Sequence, residues 1–168
     1  MYYCNPINIP YRYQYVKKDD RAVIYREAAD PSLVVFHEKY YMFPSMTKGY
    51  FVSEDMVNWQ VKKLQGLPVY DYAPDVRVMG EYLYFSASRR DDNCDFYRTK
   101  DPESGVFEKI EGTFDFWDPN LFVDDDGRVY FYWGCSSVEP IYGVELDPKT
   151  LPQIGQPVDL SANNKNAY

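Results

Sequence analysis

Apolar and polar positions along this chain fall into short runs rather than helical stripes. Leu33-Val34-Val35-Phe36, Val76-Arg77-Val78 and Leu121-Phe122-Val123 each follow a proline, in Ala29-Asp30-Pro31-Ser32, Tyr72-Ala73-Pro74-Asp75 and Trp117-Asp118-Pro119-Asn120. Proline lacks the N–H that a sheet ladder needs, so it suits the first residue of a strand. After a turn, each run is answered by an aromatic-rich one: Lys39-Tyr40-Tyr41-Met42-Phe43, Glu81-Tyr82-Leu83-Tyr84-Phe85 and Arg128-Val129-Tyr130-Phe131-Tyr132-Trp133. Pro31, Pro74 and Pro119 recur at steps of 43 and 45 residues, the period of propeller blades and not of helical hairpin repeats. The chain therefore reads as all-β, with three β-propeller blades spanning about 29–63, 73–110 and 117–158.

The remaining runs fill in the blades. Residues 1–28 form an N-terminal segment in which Tyr11-Arg12-Tyr13-Gln14-Tyr15 alternates as a strand does and Lys17-Lys18-Asp19-Asp20 turns it back into Ala22-Val23-Ile24-Tyr25. Gly49–Val52 and Trp59–Lys62 are the expected third and fourth strands of blade one, joined through Ser53–Asn58. Blade two closes through Asp101-Pro102-Glu103-Ser104-Gly105, whose residue types suit a turn, and blade three reuses the device at Asp147-Pro148-Lys149. A blade buries its faces against neighbours on both sides, and propellers close with about four to eight blades. Three blades are an incomplete ring, whose open faces are expected to self-associate or to be completed by another chain.

Composition narrows the partners. The net charge of −8 repels phosphate backbones and anionic lipid, so nucleic acid and membrane are not expected partners, whereas a neutral or cationic ligand is compatible. An acidic soluble surface explains the same charge. Cys4, Cys94 and Cys135 show no CxxC spacing, which indicates neither a disulfide framework nor a zinc site but thiols in a reducing compartment. The N-terminus has no basic region followed by an apolar one. A cytoplasmic location is expected, or a secreted one where a signal peptide has been removed.

In a propeller the innermost strand of each blade lines the channel, so residues at one repeat phase converge. Asp30 and Asp118 precede the repeated prolines and Asp75 follows one, which brings three carboxylates to the channel mouth. Clustered carboxylates raise one another's pKa, as an acid and base pair requires. The alternative is that Asp-Pro merely starts a turn, as at Asp101-Pro102 and Asp147-Pro148. Asp124-Asp125-Asp126-Gly127 lacks the ligand spacing of a calcium loop and reads as a hairpin turn. His37 falls in the turn after the first inner strand, Trp59 is expected to pack between blades, and Trp133 either stacks on a sugar or packs in the core.

Together, Asn5-Pro6-Ile7, the run from Ala28 to Phe43, Ser53-Glu54-Asp55-Met56-Val57-Asn58-Trp59, Tyr72-Ala73-Pro74-Asp75-Val76 and the run from Trp117 to Gly134 resemble glycoside hydrolase family 43, a five-bladed β-propeller family. The resemblance runs in order along the whole chain and covers about the first three-fifths of the family's catalytic domain, so the three blades are three of an expected five. It implies that Asp30 is the general base and Asp118 the aspartate that tunes the acid's pKa and helps orient the sugar. Tyr72 and Ala73 match the family's Trp-Ala beside the bound sugar, and Asp75 matches a channel position that is Asp or His in relatives. The family's general acid is a glutamate in a Glu-Gly-Pro motif, which this sequence lacks; the role is carried over to neither Glu139 nor Glu145. The implied activity is inverting hydrolysis of arabinose- or xylose-containing plant polysaccharides or oligosaccharides, of α-L-arabinofuranosidase or β-xylosidase type. The carbohydrate is the substrate and no cofactor is expected, although a structural calcium ion is implied for some members. On this reading residues 1–168 alone hydrolyse little. A carbohydrate-binding propeller without catalysis and a structural fragment remain the alternatives.

Overall fold

The alternation in the proline-led runs is realised as three four-stranded antiparallel sheets. The computed structural model describes residues 9, 14–26, 29–45, 49–65, 72–88, 95–111, 114, 116–135, 140–151 and 153–161; the Asn5-Pro6-Ile7 motif, Cys4, Cys94 and Glu139 lie outside them. A hairpin comes first, β1 (Gln14–Lys18) with β2 (Arg21–Arg26). Its two loop residues, Asp19 and Asp20, both have positive φ, as a tight hairpin turn that follows the strand twist requires.

Blade one is β3 (Ser32–Phe36), β4 (Lys39–Phe43), β5 (Gly49–Ser53) and β6 (Gln60–Lys63). Blade two is β7 (Tyr72–Met79), β8 (Tyr82–Ser88), β9 (Phe96–Thr99) and β10 (Glu108–Ile110). Blade three is β11 (Asn120–Val123), β12 (Val129–Trp133), β13 (Tyr142–Leu146) and β14 (Gln153–Asp159). In each sheet the strands lie in chain order. The first strands form the inner row, with β3 beside β7 and β7 beside β11. Among the described residues there is no α-helix.

The proline rule needs one amendment. Pro31 and Pro119 directly precede their strands, but β7 begins at Tyr72 and contains Pro74. The pairing of β7 with β8 slips between Tyr72 and Asp75, and such an irregularity accommodates a residue that cannot donate to the ladder.

Two cores form between blades, because side chains on one strand alternate between opposite faces. Leu83, Phe85 and Ala87 of β8 join Phe36, Tyr41, Phe43, Tyr50 and Val52 of blade one. Tyr84 from the same strand joins Phe96, Leu121, Val129, Phe131, Leu146 and Leu151 on the blade-three side. Aromatic contacts dominate: Phe43 stacks on Tyr50 at 4.8 Å between centroids, and Phe96 meets Phe131 edge-on at 4.8 Å. The Asp101–Gly105 segment is a single 3-10 turn over Pro102–Ser104, and it also docks blade two onto blade one. Tyr50 donates its hydroxyl hydrogen bond to the Pro102 carbonyl, and the Gln65 N–H donates to the Gly105 carbonyl at 2.8 Å.

Candidate active-site rim

Asp30, Ala73 and Asp118, the residues before the three repeated prolines, share one backbone conformation, with φ of 46°, 43° and 49°. The following proline disfavours the right-handed helical region, and an L-residue on the left-handed side costs about 1–2 kcal/mol. Aspartate tolerates this better than alanine does, yet all three blades adopt it, so the surrounding structure imposes it. Part of that constraint is visible. The Ser45 N–H donates to the Ala29 carbonyl at 2.8 Å and the Gly134 N–H to the Trp117 carbonyl at 2.6 Å, each clasping the residue ahead of an aspartate.

Two serines join the blades along this rim. The Ser45 hydroxyl accepts from the Ala73 N–H at 2.9 Å and donates to Oδ2 of Asp30 at 3.1 Å. The Ser88 hydroxyl accepts from the Asp118 N–H at 2.6 Å, while Ser88 pairs across the ladder with Tyr72. A continuous path therefore runs from Asp30 through Ser45, Ala73, Tyr72 and Ser88 to Asp118. It brings the two aspartates to one edge of adjoining blades. The side chain of Tyr72 lies outside the described residues; its backbone is part of the path.

A second row of links lies one step further along. The Val76 N–H donates to the Ser32 hydroxyl at 3.1 Å, and the Leu121 N–H donates to Oδ2 of Asp75 at 2.7 Å. Ser32 and Asp75 hold the same phase, immediately after a proline, so Asp75 is the blade-two version of a link to the next blade. It is only 6% exposed, and burial pushes its carboxyl up to about 6, opposed by the Leu121 N–H and the nearby Arg77 guanidinium. Arg77 reaches Oδ1 of Asp75 at 3.0 Å and donates from Nε to the Leu121 carbonyl at 2.7 Å. The family resemblance sets Asp75 at the channel, and its carboxylate also meets the Leu121 backbone of the next blade and the Arg77 guanidinium.

The other candidates separate in the same way. Asp30 is exposed and Asp118 half-buried, while Trp133 is buried in the second core, stacked on Phe131 at 5.7 Å. Its ring also meets Phe114 at 5.0 Å and Tyr142 at 5.5 Å between centroids. Trp59 is buried and donates from its indole nitrogen to the Met56 carbonyl. His37 is exposed in the β3–β4 turn, stacked on Phe36. Asp124–Gly127 closes the β11–β12 hairpin, where Asp124 exchanges hydrogen bonds with Gly127 and Arg128. Among the described residues no three His, Cys, Asp or Glu side chains are grouped as metal ligands. Sequence reasoning missed Ser45 and Ser88 altogether, although both stand 15 residues after a repeat position, Asp30 and Ala73.

The blade architecture is shared with solved structures. An α-L-arabinofuranosidase from Clostridium thermocellum superposes with a TM-score of 0.63 at 18% identity, over 78% of this chain and 55% of that one. The arabinanase Arb43A of Bacillus subtilis gives 0.60 at 21% identity, over 83% and 60%. The GH43 protein BlXynB of Bacillus licheniformis gives 0.63 at 21%, over 94% and 33%. The chain thus spans between a third and three-fifths of the length of these structures. A comparison with curated protein sequences finds no match. The sequence model of glycosyl hydrolases family 43 matches residues 20–167, nearly the whole chain and all three blades. The chain belongs to glycosyl hydrolases family 43.

Proposed function

We propose that this chain carries the general-base side of an inverting glycoside hydrolase active site, with Asp30 as base and Asp118 as the residue that tunes the acid and orients the sugar. The supporting observation is the rim. Two aspartates from separate blades hold one left-handed conformation and are linked through Ser45, Ala73, Tyr72 and Ser88. Family membership supports the reaction class. The arabinofuranosidase and arabinanase among the structural neighbours support a substrate of arabinose- or xylose-containing plant polysaccharide or its oligosaccharides.

In this reading Asp30 takes a proton from a water molecule whose oxygen bonds to the anomeric carbon. The bond from that carbon to the leaving oxygen breaks, and a general acid protonates that oxygen. Acid and base in inverting glycosidases stand about 6.5–9.5 Å apart, leaving room for the water. Residues 1–168 contain no Glu-Gly-Pro motif, so no residue of this chain is assigned the acid role. General-acid assistance is worth about 10²- to 10⁴-fold, and residues 1–168 alone are expected to hydrolyse arabino- and xylo-oligosaccharides at background rates. Robust release of sugar by them would contradict this. In a protein that also carries the acid, Asp30→Asn is expected to lower kcat by at least about 10²-fold while oligosaccharide binding persists in calorimetry. Hydrolysis unchanged by Asp30→Asn would remove the base assignment.

A further inference from the structure

Ser45 is 2% exposed, and both its N–H and its hydroxyl are engaged near the junction of blades one and two. Its N–H donates to the Ala29 carbonyl, and its hydroxyl oxygen accepts from the Ala73 N–H at 2.9 Å. A hydroxyl has a single hydrogen. With the oxygen already accepting from blade two, that hydrogen points to Oδ2 of Asp30, 3.1 Å away. Ser88 makes the corresponding inter-blade link to the Asp118 N–H. In Ser88's own blade, however, the pre-proline position is Ala73, which has no carboxylate to receive the hydrogen. Ser45 therefore does something that the repeat alone does not require.

We propose that Ser45 is a positioning residue for the base: its hydroxyl holds the Asp30 carboxylate in a fixed orientation relative to the blade-two backbone at Ala73. The inference rests on the reading of Asp30 as general base. Asp30 is exposed and stands on a left-handed backbone, and the bond from Ser45 selects, among the rotamers of its carboxylate, one that presents an oxygen to the attacking water. Misplacement of a reacting group by about 1 Å can cost on the order of 10²-fold.

The test uses the active protein that also carries the general acid. Ser45→Ala is expected to lower kcat by about 10- to 100-fold and leave KM within about twofold, and Ser45→Thr, which keeps the hydroxyl, to recover most of the loss. Ser45→Cys fills the same space with a weak donor and is expected to lower kcat in the same sense if the alanine variant does not fold. The discriminating measurement is made in Asp30→Ala supplied with sodium azide. Azide attacks the anomeric carbon without needing its proton removed, so no base is required. There Ser45→Ala is expected to cost nothing further, because no carboxylate is left to hold. An equal loss in the azide reaction would make Ser45 a structural link only and overturn the proposal. Unchanged kcat in Ser45→Ala with Asp30→Ala inactive would overturn it while leaving the base assignment intact. Full activity in Asp30→Ala without azide would overturn both.

Discussion

At the scale of single residues, Asp75 shows how one carboxylate serves packing at the expense of its own ionisation. Its folded pKa of about 6 lies above the ordinary 3.8 because burial disfavours the charged form. Between those values the folded state binds more protons than the unfolded one. The contribution of Asp75 to stability is therefore fully present below about pH 4, declines as pH rises through about 6 and is lost above it. A shift of about two units corresponds to at most about 3 kcal/mol. Asp75→Asn keeps an oxygen for the Leu121 N–H but cannot ionise, so urea denaturation at pH 4 and pH 7 should show a smaller decline in the variant than in the parent. Equal declines would show that the pH dependence arises elsewhere.

At the scale of elements, the strands depend on two different properties of glycine. Gly49 opens β5, and a Cβ there would fall inside contact distance of the Lys62 carbonyl on β6. Gly127 turns the β11–β12 hairpin at φ 83°, with nothing near the place of a Cβ. Gly49→Ala must push two paired strands apart, at about 1–3 kcal/mol, whereas Gly127→Ala meets only backbone strain of about 1 kcal/mol. Thermal unfolding should rank Gly49→Ala as the more destabilising, and the reverse order would contradict the packing argument. The Asp101–Gly105 turn shows another side of element formation. Its composition announces a turn, but nothing local announces that Tyr50 and Gln65 of blade one bind its carbonyls.

At the scale of the whole molecule, burial follows which blade has a neighbour. Leu33 and Leu121 are the same residue type at the same repeat phase, two positions after the proline, yet Leu33 is 44% exposed and Leu121 only 2%. Leu121 sits in the core between blades two and three; among the described residues no blade packs against Leu33 from the other side. Leu121→Ala should cost about 2–5 kcal/mol, and Leu33→Ala well under about 1 kcal/mol. Comparable losses for the two variants in denaturant unfolding would mean that Leu33 is covered as well.

The sequence by itself determined the repeat. Proline position, strand alternation and turn chemistry are local properties, so the three blades, their strand order and the shared phase of Asp30, Ala73 and Asp118 were legible from it. The family likeness added roles to those aspartates. What lies across the blade junctions was not legible, because it depends on which side chain meets which backbone group 28 to 46 residues away. Only the tertiary structure decided that Asp75 ties down the Leu121 N–H, that Trp133 packs against Phe131, and that Ser45 joins the Asp30 carboxylate to blade two. A repeat specifies where positions recur along the chain, whereas the meeting of one blade with the next assigns each recurring position its partner.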